Sequence, residues 1–522
     1  MAKQDKAAPI AKTPSPSTTT IAPATNPEEV AEKDLIEEYL AQHGLESALN
    51  VFLNQVVRDR PTDPYLVLGG LLQNRATSNK GIFLVSAKEI VDTSGYPTLL
   101  VCVHTGKGPF EASTASTTPG VHDTDDSSRY RGKGLRARDV SLYLQHLLEG
   151  MDPCNQAECD EKISSMADKV GRQACIALSI AVCKAGAAQK DVPMFEYIAA
   201  LADVPIESAC LPVPIFSLLN GGVFASNKLP VQEITIMPMG CATFQDALRY
   251  AGEVHLTLKE LLDVKGNGHS NRGAFGGMTP QLMTCEECLS LTTEAVNKVK
   301  DQLKLAAIPI TIGIGVDVAA HSFATVDDAG ELCTYNIDKW MPIPKSVPKS
   351  SEELSELLRD WIKTYNLMTV VDPFEGHDIK VCSALNRTIN SVAEGEVDGT
   401  IGGDVQCKLQ VAGNTLLQCG LETLHEERAC NTILIHLSEF TTISQVLHVV
   451  AQARVLGIAL IMGCDAFASE DSFPMDFAIG VGCGQVKFGG LLSADAISRY
   501  NYLATFIDDP KAPVYVGTTF RR

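Results

Sequence analysis

Several polar residues lie within or at the ends of apolar, strand-like runs, where their side chains could meet. Glu233 stands in Val231-Gln232-Glu233-Ile234, Asp317 in Gly315-Val316-Asp317-Val318-Ala319-Ala320, and Asp372 in Asp372-Pro373-Phe374. Lys487 closes Gly484-Gln485-Val486-Lys487, and His436 closes Thr432-Ile433-Leu434-Ile435-His436. Carboxylates hold a hard divalent cation only when several oxygens converge on it. A lysine turned inward beside Asp317 or Glu233 would instead make a paired charge cluster. His436 is the residue of this set that titrates near neutral pH and could act as a base. On an apolar strand, however, histidine more often serves as a satisfied core residue.

Two further patterns carry less chemistry. Cys285-Glu286-Glu287-Cys288 has the spacing of a metal knuckle. No second pair follows at zinc-site distance, and the segment reads as helix, so these are structural thiols. The glycine-rich stretch from Gly482 to Gly490 lacks phosphate-loop spacing and fits a strand leading into a turn. Trp340 and Trp361 read as packing residues.

The elements that must position these residues follow from hydrophobic periodicity. Residues 1–27 hold almost no large apolar side chain, which predicts a disordered tail. From 28 to 75, apolar residues at spacings of three and four predict a helical hairpin, bent near Gly44 and broken at Arg60-Pro61-Thr62-Asp63-Pro64. Asp63 and Pro64 suit the cap and first turn of its second helix. Two helices this short cannot hide their apolar faces alone, so they must dimerise or dock. Residues 80–205 read as an α+β domain, with strands over 81–91 and 97–105 and helices over 138–149 and 170–201. Beyond 205, strand-like runs at 231–238, 310–319, 367–374, 399–405, 429–437, 457–463 and 478–488 alternate with helical patterns. Repeated βα units predict a parallel barrel over 206–522, with its chemistry at the strand C-terminal ends.

Composition narrows the partners. Lys and Arg total 43 against 63 Asp and Glu, a net charge of −20, with a pI near 5.0. Without a long basic run, the chain is not expected to bind nucleic acid. No stretch is apolar enough to predict a membrane span or a signal peptide, and 16 scattered Cys suit a reducing compartment. A cytoplasmic protein is expected.

At the strand ends, the chain resembles the enolase family from about residue 80 to 522. The likeness rests on Ala174–Tyr197, Leu211–Gly240, the Gly315–Ala320 strand, Asp372-Pro373-Phe374, Gly484–Lys487 and the ending Pro513-Val514-Tyr515-Val516-Gly517. It implies an α/β fold: an enolase-type TIM-like barrel with an N-terminal α+β capping domain, here preceded by the hairpin and tail. It also implies the dehydration of 2-phosphoglycerate with two magnesium ions, which stabilise the extra negative charge formed on proton removal. Matched position by position, the resemblance implies that Glu233, Asp317 and Lys487 are retained. Of three metal carboxylates, Asp317 remains, while the others fall at Val371 and at Gly403 beside Asp404. The base Lys falls at His436 and the acid Glu at Phe275. The phosphate-binding Arg falls at Asp465 in Cys464-Asp465-Ala466, a histidine falls at Phe224, and Thr118 stands in the mobile loop that ligates the second magnesium.

The hairpin resembles the dimerisation and docking module of type II protein kinase A regulatory subunits and its ciliary relatives, through Leu49, Leu53, Val56, Arg60, Pro61, Asp63 and Pro64. This implies a homodimer that takes up an amphipathic helix of a partner protein. The combination resembles the sperm- and flagellum-associated enolase-like proteins. It leads to the expectation of a catalytically degenerate scaffold in a cilium or flagellum, with no cofactor. The rival expectation is a working enolase of glycolysis, using magnesium and a site rebuilt from Asp317, Asp372, Asp404, Glu233, His436 and Lys487. That rival needs Asp372 and Asp404 about 2 to 2.6 Å from a common ion.

Overall fold

The computed structural model describes residues 36–76 (except 38 and 42), 81–115, 136–304 (except 270 and 283), 310–327, 333–341, 347–390, 409–466, 471–506 and 513–521. The tail over 1–27, Thr118, Gly403, Asp404 and the 399–405 run lie outside them. The chain divides into two units, Met1–Ala76 and Thr77–Arg522.

In the first unit, α1 (Leu45–Asp59) begins after Gly44, whose φ of 56° is left-handed, and ends at Arg60, also left-handed at φ 46°. Helix α2 (Pro64–Ala76) starts at proline, with Asp63 Oδ1 accepting from the amides of Tyr65 and Leu66, both at 3.0 Å. Ala48 and Val56, two turns apart, are buried. Leu45, Leu49, Leu53 and Val57 recur every fourth residue and stay exposed, as do Tyr65 and Leu66 on α2. Pro61 is half-buried, while Arg60, Asp63 and Pro64 are exposed.

The second unit opens with an antiparallel sheet of β1 (Ile82–Val91), β2 (Pro97–Thr105) and β3 (Gly108–Ser113). Helices α3 (Ala137–Leu144), α4 (Gln156–Ser164), α5 (Arg172–Lys190) and α6 (Met194–Leu201) follow. The expected helix over 170–201 is therefore two helices, parted where Asp191 turns left-handed at φ 58° ahead of Pro193. The expected 138–149 helix ends at Leu144. Asp160 ties this domain to the barrel: its carboxylate accepts from Gln156, Ser179 and both the amide and hydroxyl of Ser444.

A closed eight-stranded barrel completes the fold, in the order β7 (Leu367–Val371), β8 (Gln410–Gly413), β9 (Thr432–Ile435), β10 (Ala459–Gly463), β11 (Gln485–Gly489), β4 (Val213–Asn220), β5 (Glu233–Met239) and β6 (Thr311–Asp317). Two expectations are corrected here. The barrel is not wholly parallel, because β5 runs antiparallel to both β4 and β6. The β4–β5 link holds only a 3₁₀ turn, Gly222–Phe224, too little for the crossover a parallel pair requires. Among the described residues, the strand between β7 and β9 is β8, which the sequence reading did not expect. Finally, residues 473–480 form helix α7, so the 478–488 run is strand only in β11. A continuous apolar run cannot by itself separate buried helix from buried strand.

Inside the barrel, Val213, Ile215, Met237, Val371, Ala412, Leu434 and Ile461 pack into one cluster. A polar layer joins them: Gln410 Nε2 donates to Gln485 Oε1 at 2.6 Å, and Thr369 Oγ1 donates to Gln410 Oε1 at 3.0 Å. Side chains alternate along each strand, so this layer fixes which residues reach the mouth facing inward.

Candidate functional site

Glu233 opens the antiparallel strand β5 and Asp317 closes β6, so the two stand opposite each other in register at the barrel mouth. Lys487 on β11 reaches both: its Nζ donates to Asp317 Oδ2 at 2.9 Å and to Glu233 Oε1. All three are buried. Burial alone would depress the lysine, but the two carboxylates reverse this and raise its pKa above the ordinary value. Burial raises Glu233, with the charge of Lys487 opposing it. The sequence expectation of a paired charge cluster is met by these three residues.

Above the ammonium lies an aromatic lid. Phe275 presents its ring 5.3 Å from Lys487 Nζ, and Phe224 meets Phe275 edge-on at 5.2 Å. A tight turn places Phe275. Asn220 Oδ1 accepts from the Gly277 amide at 2.8 Å, and a Cβ at Gly273 would come within 2.5 Å of Asn220. Gly276 is left-handed at φ 74°.

Val371 pairs with Asp317 in register, yet its side chain joins the apolar lumen and is 4% exposed. The next residue, Asp372, turns the other way at φ 42°. Its Oδ1 accepts from the Asn414 amide and its Oδ2 from the Thr415 amide, both at 2.8 Å. Asp372 therefore caps the 3₁₀ turn Thr415–Cys419, and its two oxygens are committed there. Burial, then the charge of Asp317, raise its pKa. On β8, alternation from the inward Gln410 and Ala412 makes Asn414 the residue that reaches the mouth, while Gly403 lies outside the described residues. Asn414 Nδ2 donates to Leu434 O at 3.0 Å and Glu439 Oε1 at 2.8 Å.

His436 follows β9 at the mouth, its Nδ1 3.6 Å from Glu439 Oε1. Burial lowers its pKa, but the hydrogen bond and charge of Glu439 and the charge of Asp465 outweigh this and leave it raised. With only 14% of its side chain exposed and Glu439 as its partner, it fits the reading of a satisfied core histidine. Gly463 makes room for the ring: a Cβ there would lie 2.4 Å from the imidazole. Asp465 accepts from Ser438 Oγ at 2.5 Å. Among the described residues, the space beside it, lined by Ser113, Ser438, Cys464 and Arg499, is about 40 Å³, room for one water. Asn414, Glu439, Ser438 and Gly463 were missed in the sequence. Glu439, three residues after His436, was the legible signal.

Residues 208–522 match the model of the enolase C-terminal TIM barrel domain, and residues 82–198 match that of the enolase N-terminal domain. The chain belongs to the enolase family. It is 31% identical over 439 residues to an enolase of Mastigamoeba balamuthi, covering 80% of this chain and 93% of the relative. It is 29% identical over 462 residues to an enolase of Eimeria tenella, covering 84% and 98%. It is also 29% identical over 517 residues to cytosolic enolase 3 of Arabidopsis thaliana, covering 93% and 99%. That last share exceeds what residues 82–522 alone could supply, so the match runs into the N-terminal segment.

Enolases use magnesium, and the donors here do not fit it. Of the inward mouth positions, Asp317 carries a carboxylate bonded to Lys487, Val371 is apolar and Asn414 is an amide already engaged. Among the described residues, no group of three or more His, Cys, Asp or Glu could hold a metal. Cys285 and Cys288 are buried free thiols on helix Cys285–Gln302. No described helix is long and apolar enough to cross a membrane.

Proposed function

We propose that this enolase-family protein has lost phosphopyruvate hydratase chemistry and acts as a structural or scaffolding subunit of a cilium or flagellum, dimerising and docking through its hairpin. The observation that carries the reading is Phe275. A phenyl ring, stacked over the Lys487 ammonium, stands where the family's acid is expected and has no proton to give. His436, at the base position, lies beside Glu439, and although burial lowers its pKa, Glu439 and Asp465 leave it raised. With Asp465 in place of the phosphate-binding Arg, a phosphorylated substrate meets repulsion rather than a bidentate donor.

The hairpin supports the second half. Its stripe of Leu45, Leu49, Leu53 and Val57 lies beside the buried Ala48 and Val56, leaving most of its apolar surface uncovered. A two-helix unit buries too little to hold itself together without association. We assign a second copy of the chain to this face, with the dimer's groove taking an amphipathic partner helix. The domain limits follow: hairpin over 28–75, capping domain over 80–205 and barrel over 206–522. Sedimentation of the full chain and of a Leu53→Glu, Val57→Glu variant tests this. The variant should weaken self-association at least tenfold and leave the body's thermal transition in place. Unchanged association would exclude the hairpin as the dimer face.

A further inference from the structure

The chain holds two Asn-Gly pairs, Asn220-Gly221 and Asn267-Gly268, and the fold treats them differently. We propose that Asn267 is a site of spontaneous deamidation, a time-dependent modification that the fold permits at this pair and withholds from the other. It is independent of whether the barrel mouth turns over a substrate.

The chemistry is local. The main-chain nitrogen that follows an asparagine can close on the side-chain carbonyl carbon, and glycine, with no Cβ, lets it approach most freely. Here the Gly268 N–H gives its proton to a solvent base and a bond forms from Gly268 N to Asn267 Cγ. The Cγ–Nδ2 bond then breaks, and ammonia leaves with a proton taken from solvent. The cyclic imide takes up one water at either carbonyl and opens to aspartate or isoaspartate. Ring closure needs a side chain that can turn and an amide that is not already donating. Asn220 has neither. It is fully buried, its Nδ2 donates to Ser217 Oγ at 2.7 Å, and its Oδ1 accepts from the Gly277 amide at 2.8 Å. The Gly221 amide donates to Gln232 O at 2.9 Å. Asn267 is half-buried in the loop after helix Phe244–Val264. Leu262 O and the Gln281 amide hold its main chain, both at 3.1 Å, but no described residue bonds to its side chain or accepts from the Gly268 amide. Gly266 and Gly268 both stand at φ 69°, and a Cβ at either would meet nothing within 4 Å, so the loop is uncrowded. Opening to isoaspartate moves the carbonyl that accepts from Gln281 out of the main chain, and adds a carboxylate to the loop that holds the Asp263–His269 pair.

The test is peptide mapping by mass spectrometry of the full-length protein aged in mildly alkaline buffer, with a second portion aged in denaturant. Trypsin releases residues 266–272 after Lys265 and Arg272, and fragmentation assigns the new acid to Asn267. Methyl transfer by an isoaspartyl methyltransferase counts the isoaspartate. In the folded protein Asn267 should convert at least tenfold faster than Asn220. In denaturant the two rates should come together, because only the fold separates two identical pairs. Asn267→Gln, whose longer side chain closes the ring slowly, should remove the methyl-accepting product from the folded protein. An Asn267 that stays an amide in the folded protein, or converts there no faster than Asn220, would overturn the proposal. So would a tenfold gap that persists in denaturant, which would trace the difference to neighbouring residues, or methylation that survives Asn267→Gln.

Discussion

Val371→Glu puts back a carboxyl group at a mouth position where the lumen is now apolar. Val371 is 4% exposed and stands in register with Asp317, so the new carboxylate would be buried beside an existing one. Leaving a buried charge without its own partner costs about 3 to 5 kcal/mol. At ~5 Å and an effective dielectric near 20, repulsion by Asp317 alone is about 3 kcal/mol, part of which Lys487 offsets. A body of this size moves by less than about 2 to 4 °C per kcal/mol, so the thermal midpoint at pH 7 should fall by about 5 to 10 °C. The loss should shrink as pH is lowered toward 5, because a buried carboxyl with a raised pKa takes up a proton and sheds its charge. Val371→Thr is the size control and should cost about 1 to 2 kcal/mol. Differential scanning fluorimetry in chelator and in excess Mg²⁺ reads all of this. With the amide of Asn414 where a further carboxylate would be needed, Mg²⁺ should restore little. A Val371→Glu protein as stable as wild type in chelator at pH 7 would show that this side chain does not face the sealed mouth, and the description of the site would fall with it.

The pair of His436 and Glu439 predicts a pH dependence. Folding raises the histidine above 6.5, so its contribution is full below that value and fades as pH rises through the folded pKa. Folding lowers Glu439 below 4.5, so its contribution is present above that value and lost as pH falls through the folded pKa. Glu439→Gln should therefore destabilise most near pH 5.5 and least near pH 9, as denaturant melts at the two pH values would report; an equal loss at both would count against a charged pair. Gly463→Ala should cost about 1 to 3 kcal/mol through overpacking against the imidazole, and adding His436→Ala should recover part of it. Strict additivity in that cycle would mean the two residues do not touch.

Much of the mouth was legible because strand-end residues keep their phase. Glu233, Asp317, Lys487, Val371 and His436 sit within apolar runs whose alternation fixes direction, and the structure brings these residues to one end of the barrel. Asn414 was not legible for a physical reason. The run over 399–405 and the strand Gln410–Gly413 have similar apolar content, and only pairing with Thr369 and Val370 on one side and Thr432 on the other selects the second. The antiparallel course of β5 was hidden because alternation reports which face a residue takes, not which way the chain runs. The use of Asp372 as a cap, and of Gly463 as space for the His436 ring, depends on contacts between distant segments that no local pattern carries. The hairpin was readable to the residue at Gly44, Asp63 and Pro64, since caps and breaks are local chemistry.

The central claim is that the family's proton chemistry is gone from this mouth. Its most direct test is a coupled assay of the purified full-length protein with 2-phosphoglycerate at saturating Mg²⁺, alongside Glu233→Gln as the blank. The two proteins should give the same background rate. Turnover above background that Glu233→Gln abolishes would contradict it, and would mean that Lys487, Glu233 and Asp317 form a working site despite Phe275 and Val371.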